Sequence, residues 1–127
     1  MSQYLQAFNL QFEEFVNDII RVFPDDNEIA TAANALKKMR KANPKLFATV
    51  FNEYVNKPYG KHIHDNNLKY FLEKDYTIDV GNASHGIEIL SKVNIIKTPI
   101  SNMNVEDQKK VLKYLQNLCK LSDLYNI

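Results

Sequence analysis

A chain of 127 residues with a net charge of +1 matches one domain and excludes a strongly basic or acidic one. With 45% apolar and 24% charged residues it has ordinary globular composition and enough apolar material for an unaided core. Three glycines, four prolines and no tryptophan leave too few turns for a β-sandwich, and the lone Cys119 excludes an intramolecular disulfide framework.

The first element reads as a helix. Leu5, Phe8, Phe12, Phe15, Val16, Ile19 and Phe23 recur at spacings of three and four and make one apolar face, with Glu13, Glu14, Asn17, Asp18 and Arg21 mostly opposite. Pro24 ends it, because a proline pushes the residue before it out of the α region. In PDDNEIATAANALKKMRKANP a second helix starts, with Asp25 and Glu28 reading as a capping box. Its inner face, Ile29, Ala32, Ala33, Leu36 and Met39, is small, so a neighbour can approach closely. Lys37, Lys38, Arg40 and Lys41 fall in its last turns and complement the helix dipole. Asn43 is expected to cap a third helix whose first residue is Pro44, burying Leu46, Phe47, Val50, Phe51 and Tyr54. Asn56 to Gly60 is expected to break it.

The stretch KPYGKHIHDNN, residues 57–67, then reads as a polar loop with exposed imidazoles. Leu68, Phe71 and Leu72 mark a short helix, YTIDV at 76–80 alternates as a short extended segment does, and VGNASHG is turn-rich. A short helix over Gly86–Val93 turns Ile87, Leu90 and Val93 inward, and KTPISNMN connects onward. In the last helix Asn104 is the cap, Glu106 and Asp107 suit the first turn, and Val105 (or Gln108), Leu112, Leu115, Leu118 and Cys119 form the stripe. The LSDLYNI end is apolar enough to dock. The expected fold is all-α: a compact single-domain bundle of five or six helices over residues 1–127, with one short extended segment near 76–80 as an option.

The N-terminal MSQYLQAFNLQF lacks the basic-then-apolar pattern of a signal peptide, and the longest apolar runs are a few residues, so an intracellular protein with no membrane span is expected. Three stretches carry a resemblance: FVNDIIRVFPDD; KKMRKANPKLFATVFNEYV running on into PYGKHI and FLEKDY; and EDQKKVLKYLQNLCKLSDLY. Together they resemble uncharacterised small helical proteins encoded by nucleocytoplasmic large DNA viruses, the giant viruses. The resemblance covers most of the chain, through helix caps and core stripes, and the Lys- and Asn-rich composition fits an AT-rich genome. It implies a viral product in host cytoplasm or in the virion, and it carries over no catalytic residue.

Chemistry has few footholds. In an extended segment His62 and His64 point to one face and, with Asp65, are weak candidates for metal ligands. Zinc needs three or four protein ligands, and His85 and Cys119 are remote, so no metal and no cofactor is expected. Ser84, His85 and Gly86 are sequence neighbours, and neighbouring side chains seldom make a nucleophile–base pair. Gly60, Gly81 and Gly86 are too scattered for a phosphate loop, and an enzyme is not expected.

Charge offers more. Residues 1–28 hold six acids and one base, whereas residues 29–63 hold seven bases and one acid. Lys37, Lys38, Arg40, Lys41 and Lys45 sit around one helix–turn–helix junction, and Lys57, Tyr59 and Lys61 follow on the next element. These residues are the candidate binding surface. The first choice is a protein partner or a homo-oligomer, with the acidic first helix and the basic 37–61 segment as complementary faces. Phosphate contacts with nucleic acid are the alternative. The basic segment can equally neutralise the first helix of its own chain. Tyr4, Tyr59, Tyr70, Tyr76 and Tyr125 add amphipathic area of the kind interfaces use. No small-molecule substrate is evident.

Overall fold

The computed structural model describes residues 2–73 and 84–126. Among these, every regular element is helical. The elements are α1 (Gln3–Val22), α2 (Asn27–Ala42), α3 (Pro44–Phe51), a π turn (Asn52–Asn56), α4 (Lys57–His64), α5 (Leu68–Glu73), α6 (Ser84–Lys97), a 3-10 turn (Thr98–Asn102) and α7 (Val105–Tyr125). Because α3 runs through the π turn into α4, the chain makes an all-α bundle of six helices. The extended segment expected at 76–80 lies outside the described residues. No helix among the described residues is long and apolar enough to cross a membrane.

α1 lies along α7 and also packs on α2 and α3, while α2 packs on α6. Its apolar stripe is buried as the spacing predicts, with Phe23 half-buried at the end. The phenylalanines form a connected ladder. Phe12 lies 4.5 Å from Phe47, and Phe8 lies 5.2 Å from Phe51 and 6.4 Å from Phe47. Phe15 extends the ladder to Tyr114 on α7 at 5.5 Å. Tilted and edge-on pairs of this kind add roughly 0.5–1.5 kcal/mol each beyond burial. The stripe is therefore core and is not free to receive a partner helix. An apolar void of about 30 Å³ remains among Phe12, Leu36, Phe47, Leu90 and Leu118, room for about one water and no ligand.

α2 begins one residue later than its capping box implies. The turn through Pro24 closes with Asp26 N–H donating to the Phe23 carbonyl, which leaves Asp26, not Asp25, extended at the cap. Its carboxylate accepts from Ile29 N–H at 3.1 Å. α3 starts as expected, with Asn43 accepting from Leu46 N–H at 3.1 Å.

The main departure follows. Asn56 to Gly60 does not break the helix, and KPYGKHIH is not a loop: the rod continues to His64. Pro58 has no N–H for the Tyr54 carbonyl, and its ring crowds that carbonyl. The π turn widens the helix just before it, with Lys57 N–H reaching Asn52 O, five residues back. Gly60 then lets Asn56 lie against the helix: a Cβ at position 60 would sit 2.7 Å from Asn56 Oδ1 and 4.0 Å from Cys119 Sγ.

α5 turns Phe71 fully inward, and Leu68 and Leu72 pack on the core. α6 spans more than the expected Gly86–Val93, so Ser84 and His85 begin a helix and do not sit in a loop. Its phase also differs: Ile87 is 37% exposed, while Ile89, Leu90 and Ile96 are buried. Buried Lys97 donates from Nζ to the Leu72 carbonyl at 2.8 Å, tying α6 to α5. KTPISNMN is more than a connector, since Ile100 in its 3-10 turn is fully buried.

Asn104 caps α7 by accepting from Asp107 N–H at 2.8 Å. Val105 is 65% exposed and lies off the stripe, Leu112 is half-buried, and Val111, missed in the sequence, is buried with Leu115, Leu118, Cys119 and Ser122. Gln108, the alternative to Val105, faces in and donates to the Ile100 carbonyl at 3.1 Å. The C-terminal turn docks through Leu121 and Tyr125.

Gly60→Ala tests this packing. Alanine normally favours a helix interior by about 1 kcal/mol over glycine. Here it must displace the pinned Asn56 amide, so urea denaturation should show a loss of about 1–3 kcal/mol. In an Asn56→Ala background the same substitution should become neutral or stabilising; a penalty that persists there would show that Asn56 is not the obstacle.

Candidate functional site

The basic segment is divided by the fold. Lys37 Nζ donates to Asn17 Oδ1 across the α1–α2 seam. Arg40 reaches Glu13 on α1 at 2.8 Å, with side-chain exposures of 13% and 36%, so this pair is partly shielded from water. The acidic first helix and the basic segment thus meet within one chain. Lys38, Lys41 and Lys45 are exposed and make no ion pair among the described residues. Lys57 pairs with Glu53 one turn back at 3.0 Å, a solvent-exposed contact of small value. Lys61 is exposed.

The histidine stretch changes character once it is helical. Two residues apart on α4, His62 and His64 project from different faces, so the shared face needed for one metal is absent. The His62 ring stacks on Tyr70 of α5 at 3.9 Å and 13°, and Tyr59 leans on the same Tyr70 at 5.6 Å. His64 and Asp65 are exposed. Asn66 takes a left-handed φ of 64°, where asparagine is better tolerated than most residues, and Gln116 of α7 donates to Ile63 O and Asn66 Oδ1, both at 3.1 Å. These residues clasp α4, α5 and α7 together. Among the described residues no three His, Cys, Asp or Glu side chains gather as metal ligands would.

The site with unmet chemistry lies where α1 faces the α2–α3 junction. A groove of about 300 Å³ is lined by Gln6, Asn9, Leu10, Glu13, Arg40, Lys41 and Pro44. Asn9 is 95% buried, being 5% exposed, and its Oδ1 has no hydrogen-bond partner among the described residues. Arg40 commits Nη2 to Glu13, while its buried Nε has no partner among the described residues. Two of the residues that line this groove therefore each carry an enclosed polar atom, one acceptor and one donor, with no partner among the described residues. Leu10 is 60% exposed on its rim, beside exposed Lys41.

Asn9 and Leu10 escaped the sequence reading, although a signal was present. Leu5, Asn9, Phe12 and Val16 share one helical stripe, so Asn9 is a polar residue in an apolar row, and Leu10 is an apolar residue on the polar side. Of the sequence candidates, Arg40 and Lys41 reach this groove; Lys57, Tyr59 and Lys61 belong to α4, with no place in the groove lining.

Four polar contacts, in two groups, serve structure. Asn56 Nδ2 donates to Asn52 Oδ1 at 3.0 Å and to Asp123 Oδ1 at 2.7 Å, while Ser122 Oγ donates to Asn52 Oδ1 at 3.0 Å, fixing the π turn against α7. Beside them burial, with Asp123 contributing, pushes the Cys119 thiol up to about 12. On the other face of α7, Tyr114 donates its hydroxyl to Asp18, which with burial pushes the phenol up to about 12. The chain matches no family model, no curated protein and no solved structure.

Two outcomes follow. A raised phenol keeps the proton that the Asp18 contact needs, so its stabilisation is complete below the ordinary value of 10 and is lost as pH climbs from there toward 12. Tyr114→Phe should cost about 1–2 kcal/mol at neutral pH, and chemical denaturation should show the gap to wild type narrowing above pH 10. Cys119 should ignore a thiol reagent in the native protein at neutral pH and react once the chain is unfolded; rapid native labelling would contradict its burial.

Proposed function

We propose that this chain is a non-enzymatic interaction module that binds protein, either another chain or a second copy of itself, through the groove between α1 and the α2–α3 junction. The observation that carries this reading is the pair of buried atoms without a partner among the described residues, Asn9 Oδ1 and Arg40 Nε, on residues that line the same groove as exposed Leu10. A buried polar atom without a partner costs roughly 1–3 kcal/mol, which a bound partner recovers. Cys119 supports the non-enzymatic part, since a buried neutral thiol is a poor nucleophile. The resemblance to giant-virus proteins supports a setting in the cytoplasm of an infected cell or in the virion.

A photo-crosslinking residue at position 10 tests the reading in cells. The expected product is a protein–protein adduct that forms equally at low and high salt and survives nuclease. A nuclease-sensitive adduct, or one that forms only when the crosslinker is moved to position 45, would overturn it.

The second reading is nucleic-acid binding, favoured by Lys38, Lys41 and Lys45, which are exposed and have no ion pair among the described residues. Light scattering with a generic duplex would then show complexes at low salt that dissolve at high salt. Neutralising the three lysines should lower the salt slope by about 1 each. A chain that ignores the duplex at low salt would remove this reading.

A further inference from the structure

Resting on the groove reading, we propose that the occupant is the main chain of an extended peptide, with an acidic side chain beside the contacted amide. The two unpaired atoms set the chemistry. Asn9 Oδ1 requires a donor and Arg40 Nε requires an acceptor. A residue of an extended peptide presents both, its own N–H and its own C=O, on one edge of the chain. A phosphodiester or a carboxylate presents only acceptors at neutral pH and would leave Asn9 Oδ1 facing oxygen. A nucleobase edge offers both groups, but the residues that line the groove include no aromatic ring on which a base can stack.

Charge and shape refine the occupant. Glu13 and Arg40 neutralise each other at 2.8 Å, so Lys41 sets the sign of the groove, and the nearby exposed Lys38 and Lys45 reinforce it. An Asp or Glu on the peptide complements them. Leu10 and Pro44 offer apolar surface for the neighbouring side chain. Because the two atoms are buried, binding must displace rim side chains; Gln6, Leu10 and Lys41 are all exposed, and exposed side chains change rotamer in picoseconds to nanoseconds.

The test is an NMR titration of the intact protein with acetylated, N-methylamidated Leu-Asp-Leu. Its probes are the Asn9 side-chain amide and the Arg40 Nε–H. Both should shift saturably. One ester-for-amide replacement in the peptide, which deletes a single N–H, should weaken binding about tenfold, as loss of one hydrogen bond does. Leu-Asn-Leu should bind more weakly than Leu-Asp-Leu, with the difference shrinking at high salt. Asn9→Leu should keep or raise stability yet lose the peptide, a combination that a structural role for Asn9 would not give. Three results would overturn the inference: no shift at either probe, equal binding by every ester variant, or a direct hydrogen bond between Arg40 Nε–H and Asn9 Oδ1 that persists with peptide present. If these occur while the position-10 crosslinks to protein remain, the interaction module stands and only the peptide class fails. If the crosslinks are absent too, the module reading falls with it.

Discussion

α1 touches α2, α3 and α7 at once, and most of the remaining structure answers to that constraint. A helix enclosed on three sides must find partners for its polar residues as well as for its apolar ones. Phe8, Phe12 and Phe15 are met by Phe47, Phe51 and Tyr114. Glu13 is met by Arg40, Asn17 by Lys37, Asp18 by Tyr114, and Gln11 by Asn117. Each pairing joins α1 to a different point on α2 or α7, so together they set register as well as energy. Asn9 stands apart because its oxygen is buried by the same packing and left unmet.

This pattern settles the charge asymmetry seen in the sequence. Part of the basic segment, Lys37 and Arg40, is used against α1 of the same chain. The rest, Lys38, Lys41 and Lys45, faces solvent. The two expectations for the segment, internal neutralisation and a free basic surface, therefore apply to different residues of it. The division follows helix phase: Lys37 and Arg40 are three apart on the side toward α1, and Lys38 and Lys41 lie one residue around.

The fold was legible where one physical signal dominated. The α1 stripe, the Asn43–Pro44 start and the Asn104 cap were readable because a clean period or a cap residue left no competing phase. α6 was misread because Ile87, Ile89, Leu90, Val93, Ile95 and Ile96 supply apolar residues to nearly every face, so the stripe has no unique direction until α2 and α3 are in place. Val105 and Asp25 were off by a register that depends on a neighbouring turn. Lys57, Pro58, Tyr59 and Gly60 looked like a break because proline and glycine are the usual helix terminators; the π turn and the contact with Asn56 are tertiary facts. At the candidate site Arg40 and Lys41 were visible as charge, whereas the unmet state of Asn9 exists only after packing.

The π turn has a consequence for insertions and deletions. It places one extra residue in a helical turn, so α4 is rotated by about 100° relative to an uninterrupted continuation of α3. That offset lets one continuous rod show Phe47 and Phe51 to α1 while it turns Gly60 toward Cys119 on α7. Loss of one residue between 52 and 56 would turn the π turn into an ordinary α turn and leave Ile63 on the core and His62 on Tyr70, whereas winding all five residues as α-helix would swing both away. A one-residue deletion within these five positions therefore keeps the phase of α4, whereas one in the α-helical turns on either side would rotate it by about 100°.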